Sequence, residues 1–323
     1  MERSNQAHRL VLLGTGGTIA GRAAQSADNV GYVAGQVGAM ELVAAVPVLG
    51  GMPLEVEQIA QIDSKDMVLS VWQSLASRIA AHLERQEVQA VIVTHGTDTI
   101  EETAFLLHRM LRPSKPVVLA CAMRPATALM SDGPQNLSDA VAVARHAGTE
   151  GVVVVCAGQV HGARDVAKVH TYRLDAFDSG DAGPLACVEE GQVREFRRWD
   201  GGSADRPFDA PALARLMAVR DLPRVELVTS HADSDGSVVR GLLAFPGERP
   251  LRGIVVAGTG NGTVHQALAA ALTEAQERGV RVRLTSRCAG GRVVPHAGLA
   301  FEDAGGLSPV KARLSLAMDL LEG

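Results

Sequence analysis

The chain has 323 residues, of which 46% are hydrophobic but only 3% aromatic, and it carries a formal charge of −5. That length is about twice the commonest domain size, so two cores are expected, built from small aliphatic side chains that suit layers buried on both faces. No run of Lys or Arg is long enough to track a phosphate backbone, and no apolar run approaches the roughly 20 residues needed to span a bilayer, so neither nucleic acid nor a membrane is an expected partner.

In chain order, β-branched runs at 9–14, 88–94, 116–122 and 151–157 read as strands. They alternate with helical patterns over 64–85, 99–111 and 134–146, where apolar residues return every three or four positions. This rhythm predicts an α/β fold, with a larger N-terminal domain over 1–200 built on a mostly parallel sheet. A charged, Gly- and Pro-containing stretch follows, and a linker ending in a short helix is expected at 201–222. Beyond it, strands at 223–229, 253–257 and 280–285 and helices at 263–278 and 310–321 predict a smaller C-terminal α/β domain over 223–323. The N-terminus passes directly into a strand, without the apolar stretch and small-residue cleavage site of a secretory signal, which predicts a cytoplasmic protein. Cys121, Cys156, Cys187 and Cys288 are scattered, two of them within apolar strands, and read as reduced, buried thiols.

Three polar motifs fall at strand exits. The first is GTGGTIAG, residues 14–21. Glycines at the carboxyl end of a strand let the backbone approach a ligand closely. The spacing matches neither the dinucleotide fingerprint nor the P-loop, so phosphate is not the expected ligand. A plain tight turn is the alternative, and Thr15 and Thr18 tilt the reading toward a site. The second is VIVTHGTDTIEETAF, residues 91–105, in which Thr99 and Glu102 have the spacing of a capping box and predict helix initiation. Thr97 and Asp98 fall where hydroxyl, carboxylate and helix N–H groups would converge on a polar molecule. The third is HGARDVAK, residues 161–168. Lys168 is either a solvated surface charge or, held near Asp98 and partly desolvated, a base. Histidines are not grouped at ligand spacing, and neither H-E-x-x-H nor paired C-x-x-C occurs, so no metal and no cofactor is expected.

Together with AMRPATALMSDGPQN at 122–136, these segments resemble the L-asparaginase family over nearly the whole chain. The resemblance implies that Thr18 is a nucleophile and that Tyr32, within GYVAGQVG, is its activator on a flexible loop. It implies a second triad of Thr97, Asp98 and Lys168. Ser64 in DSKDM matches the position that binds the substrate carboxylate, and Asn261 in GTGNGT matches a contact reaching a neighbouring subunit's site. Lys65 stands where secreted, high-affinity members usually place Gln to help hold the substrate ammonium, and a cation there repels it unless it points away. The stretch 285–306 is shorter than in those members, leaving Glu302 and Asp303 as stand-ins for their acidic residue across the dimer.

The implied activity is hydrolysis of L-asparagine to L-aspartate and ammonia through a threonine acyl-enzyme, with weaker glutaminase activity, in a homotetramer assembled as a dimer of intimate dimers. In physical terms, a neutral threonine hydroxyl is a poor nucleophile and needs both a base and a stabilised oxyanion. Tyr32 could relay the Thr18 proton, while Lys168 acts through Thr97 with Asp98 orienting it. Two other readings share the motifs. One is a subunit that makes ammonia for a partner enzyme, whose relatives usually carry an extra N-terminal domain. The other is an amino-acid-binding sensor without turnover, which has no need of both Thr18 and Lys168.

Overall fold

The computed structural model describes residues 9–199, 210–245 and 247–322, and the chain divides into two compact units at Leu213/Ala214. In the first unit the elements run β1 (Arg9–Gly16), α1 (Ala39–Ala44), β2 (Leu54–Ile62), α2 (Leu69–Leu83), β3 (Val88–Thr94), α3 (Ile100–Leu111), β4 (Val117–Ala120), α4 (Gly133–Arg145), β5 (Val152–Cys156) and β6 (Gln159–Gly162). A small hairpin of β7 (Ala167–Lys168) and β8 (Phe177–Asp178) follows, then β9 (Ala186–Glu189) and β10 (Gln192–Glu195).

Eight of these strands form one sheet in the order β10-β9-β6-β5-β4-β3-β1-β2. The block β2-β1-β3-β4-β5 is parallel throughout, and β6, β9 and β10 extend it antiparallel. The central strands read as unbroken apolar runs because helices cover both faces: every residue of β4 and β5 is buried. Side chains of α4, such as Leu137 and Val141, join Leu12, Ile92 and Val153 in the core of one face.

Several elements depart from the sequence-based expectation. β2 carries Glu55 and Glu57, which break an apolar reading of this edge strand; they are held by Arg85 at 3.0 Å and Arg78 at 2.6 Å. The helix expected from residue 64 begins only at Leu69. Ser64–Asp66 is instead a single 3-10 turn, capped by the Asp63 carboxylate accepting from the Lys65 amide at 3.3 Å, and Met67 and Val68 are extended. Of the linker expected at 201–222, residues 201–209 lie outside the described residues, and the short helix expected at its end is α5 (Ala210–Ala218).

The second unit continues with β11 (Arg224–Thr229), α6 (Ser237–Ala244), β12 (Leu251–Gly258), α7 (Gln266–Glu277), β13 (Arg281–Ser286), β14 (Glu302–Asp303) and α8 (Pro309–Glu322). Its four strands pair in parallel in chain order. Val239 of α6 and Leu268, Ala271 and Leu272 of α7 pack with Ile254, Val256 and Leu284 in its core. The helix expected from residue 263 starts at Gln266, where the His265 ring accepts the Ala267 amide.

The conspicuous motif at 122–136 proves to be a fastening between strand ends. Asp132 accepts the amides of Met123 and Arg124 at 2.9 Å each. Buried Asn136 donates to the Cys121 carbonyl at 2.9 Å and to Asp132, and accepts the Ala157 amide at 2.9 Å. One side chain therefore joins the exits of β4 and β5 to the first turn of α4. Asn136→Ala strands the buried Cys121 carbonyl and leaves the Ala157 amide to solvent, so denaturant unfolding is expected to register a loss of about 1–3 kcal/mol.

Candidate active site

Strand order 2-1-3-4-5 reverses direction between β1 and β3, and in open α/β sheets ligands bind in the crevice outside the carboxyl ends at such a point. The turns leaving β1, β2 and β3 converge there. Gly17 has φ +81°, and a Cβ on it would overlap the Gly96 backbone; a Cβ on Gly96 would lie 2.5 Å from Ser64 Oγ. Only glycine at both positions lets the three turns pack together.

Thr18 opens a 3-10 turn directly after Gly17 and is 6% exposed. The following segment folds back upon that turn: Arg22 and Val33 exchange backbone hydrogen bonds, the Gly35 amide donates to the Gly17 carbonyl, and the Val37 amide to that of Ala20. This doubling back lays the Tyr32 ring across Gly21 and brings its hydroxyl 2.5 Å from Thr18 Oγ1. Burial raises the Tyr32 pKa above its ordinary 10; the Thr18 hydrogen bond opposes the shift, and the carboxylates of Asp63 and Asp98 add to it. Tyr32 is therefore a neutral phenol at physiological pH.

The second cluster forms after β3. Lys168, in β7, donates from Nζ to Thr97 Oγ1 at 2.8 Å and to Asp98 Oδ1 at 2.6 Å, and Thr97 makes a long 3.5 Å contact to the same carboxylate oxygen. Thr97 is buried, whereas the Asp98 side chain is half exposed. Ser64 Oγ accepts the Asp98 amide at 3.2 Å, which ties the turn after β2 to this cluster. Thr99 stands at the N-cap position but makes no capping bond, contrary to the capping-box expectation; its hydroxyl donates to the Ser64 carbonyl at 2.7 Å instead. A tie between two site-bearing turns has taken the hydroxyl that helix initiation would use. Thr15 is likewise structural, donating to the Thr94 carbonyl between β1 and β3 at 2.9 Å.

Two residues named from the resemblance are engaged elsewhere. Lys65 is held by Asp63 at 2.6 Å and Asp66 at 3.2 Å, with its side chain 60% exposed, so its charge is balanced by its own neighbours. Asn261, in the second unit, pairs both ends of its amide with the backbone of Val294, at 3.1 and 2.7 Å. Glu302 and Asp303 form β14, where Glu302 meets Arg283 at 3.0 Å. Glu55, Glu57 and His82 present three potential metal-ligating atoms within 4.8 Å of one another, but Arg78 and Arg85 bond all three residues.

Sequence reading passed over two residues beside the named ones. Asp63 precedes Ser64 and holds Lys65. His95 precedes Gly96 and is wholly buried, with Nδ1 2.7 Å from the Gly96 carbonyl and Nε2 3.0 Å from Thr103 Oγ1, which in turn accepts the Trp72 indole N–H at 2.9 Å. Burial lowers the His95 pKa to about 4, against a weaker raising effect from the Gly96 bond. The folded protein thus holds a neutral ring while the unfolded chain titrates near 6.5. The stability this group contributes is present above pH 6.5 and is lost as pH falls toward and through 4. Each tenfold difference in proton affinity between the folded and unfolded chain is worth about 1.4 kcal/mol, so acidification from pH 7 to 4 is expected to cost the wild type up to roughly 3 kcal/mol more stability than it costs His95→Asn, as read by denaturant unfolding. Parallel pH profiles would mean that the ring protonates inside the fold.

The family model "Asparaginase, N-terminal" matches residues 9–200, and "Glutaminase/Asparaginase C-terminal domain" matches residues 224–323. The chain is 35% identical to "L-asparaginase 2" of Escherichia coli (strain K12), over 97% of this chain and 89% of that protein. It is 34% identical to "Glutaminase-asparaginase" of Pseudomonas fluorescens biotype A, over 97% and 86%. A crystal structure of the probable cytoplasmic L-asparaginase from Campylobacter jejuni superposes with a TM-score of 0.88 at 35% identity, covering 98% of this chain and 95% of that one. With both domain models matched in chain order over nearly its whole length, the chain belongs to the asparaginase family.

Proposed function

We propose that the protein is an L-asparagine amidohydrolase, producing L-aspartate and ammonia, with weaker action on glutamine. The observation that carries this reading is the meeting of two hydroxyl clusters: Thr18 with Tyr32 on one side, Thr97 with Asp98 and Lys168 on the other, joined where Gly17 packs on Gly96. Thr18 Oγ1 attacks the side-chain carbonyl carbon and its proton passes to Tyr32. Because Tyr32 is held neutral, it acts as a relay rather than as a standing base. The tetrahedral intermediate collapses with cleavage of the C–N bond, ammonia leaves with the proton, and an aspartyl ester of Thr18 remains. Water then hydrolyses the ester and regenerates the hydroxyl.

Lys168 acts through Thr97. In the geometry described, its ammonium donates to Thr97 and Asp98, so it must give up a proton before it can accept one. Ser64 and Asp98 supply the hydroxyl donor and the acid that a zwitterionic amino acid needs, with Lys65 at the periphery of the substrate contacts and Asn261, by the family resemblance, reaching a neighbouring subunit's site. Completeness of both clusters argues against a sensor without turnover, and no observation favours an ammonia-supplying subunit. A cytoplasmic location is supported by similarity to the probable cytoplasmic L-asparaginase of Campylobacter jejuni, and a homotetramer by the family resemblance alone.

Ammonia release measured separately from asparagine and glutamine tests the activity, and no release from either would end this reading. Thr18→Ala is expected to abolish turnover while leaving the far-ultraviolet spectrum unchanged. Tyr32→Phe is expected to lower kcat by roughly a hundredfold or more, the range of a lost proton-transfer group. Lys65→Gln leaves the Asp63 and Asp66 carboxylates without the cation that balances them and is expected to lower KM for the cationic ammonium end of the substrate by about two- to fivefold, as surface charge effects of up to ~1 kcal/mol allow, with kcat unchanged.

A further inference from the structure

The histidine beneath the second threonine belongs to neither cluster, yet its hydrogen bonds run in one direction only. The Trp72 indole can only donate, and it gives its N–H to Thr103 Oγ1. The Gly96 carbonyl can only accept, so the single N–H of the neutral His95 ring sits on Nδ1 and is donated there. Nε2 is therefore the unprotonated nitrogen and accepts the Thr103 hydroxyl. The chain Trp72→Thr103→His95→Gly96 joins α2 and α3 to the turn after β3, wholly out of water.

Its last acceptor is half of the Gly96–Thr97 peptide. In a trans peptide unit the N–H, here belonging to Thr97, is directed opposite to the carbonyl and so away from His95. We propose that His95 is a positioning residue for amide hydrolysis: by fixing the Gly96 carbonyl it aims the Thr97 N–H, and with it the Thr97 side chain, at the substrate's carbonyl group. This inference rests on the amidohydrolase reading. The role demands a neutral ring of one tautomer, and burial maintains the neutral form well into the acid range.

An asparagine amide nitrogen can stand in for Nδ1, whereas a glutamine amide lies nearer the place of Nε2. His95→Gln keeps a partner for Thr103 but loses the bond to Gly96. It is expected to lower kcat about tenfold or more, a fraction of the hundredfold-plus that follows outright loss of an oxyanion donor, with KM within twofold. His95→Asn is expected to stay within about threefold of wild type. A His95→Gln enzyme with unchanged kcat, or a loss equal in both variants, overturns the proposal. Nitrogen-15 shifts of the wild-type ring report independently of whether any variant folds: a protonated Nδ1 and a bare Nε2 from pH 6 to 8 support it, and the reverse tautomer or an imidazolium refutes it. Wild-type asparagine turnover, run alongside, separates the two readings, since its absence removes the amidohydrolase reading whatever the ring's tautomer.

Discussion

Contact between Gly17 and Gly96 is the constraint on which the site depends. Two turns from different strands approach so closely that a side chain on Gly17 would overlap the Gly96 backbone, and one on Gly96 would overlap the Ser64 side chain and press on the Gly17 backbone. Each glycine is followed directly by a threonine. Bringing the glycines together therefore brings Thr18 and Thr97 to the same crevice, and Ser64 is drawn in because its hydroxyl lies where a Gly96 side chain would be. Strand order does the coarse placement, since β1 and β3 are neighbours and connect outward in opposite directions. The glycines do the fine placement.

The two threonines then receive different electrostatic surroundings. Thr18 meets a phenol kept neutral by burial. Thr97 meets an ion pair whose lysine is largely buried and whose aspartate is half exposed. One hydroxyl thus has a partner suited to passing a proton without forming charge, the other a partner already charged. Beneath the second lies His95, neutral again, so the polar chain that braces the turn carries no net charge into the core. Buried polar groups are tolerated only when fully bonded, and each member of this chain has its partner.

Residues 122–136 are as distinctive in sequence as the threonine motifs, but their work is mechanical. Asp132 and Asn136 satisfy backbone groups at the exits of β4 and β5, where parallel strands run out of partners. Arg124, fixed at the same place, lies over the Tyr172 ring at 4.1 Å and donates to the Tyr172 carbonyl, anchoring the segment between β7 and β8. Lys168 is a residue of that hairpin. The fastening thus bears on the segment that supplies the lysine.

Much was legible from the sequence because parallel strands buried on both faces must be continuously apolar, and the polar residues that interrupt them at their carboxyl ends then stand out. β1, β3, β4 and β5 and the motifs after β1 and β3 were visible on that ground, as was the α/β rhythm of both units. β2 was not, because it lies at an edge and commits Glu55 and Glu57 to salt bridges with arginines of α2 and the residues just after it. β6, β9 and β10 are only four residues each and lie where the sheet turns antiparallel, too short for alternation to register. What tertiary structure alone decided were the partners of side chains with several local options. Thr99 had the sequence of a helix cap and became a tie to Ser64. Ser64 had the pattern of a helix and became a turn, because Asp63 capped it first. Short polar side chains can bond to their own backbone or to a distant one with similar energy, so only the packing of the turns determines which bond forms.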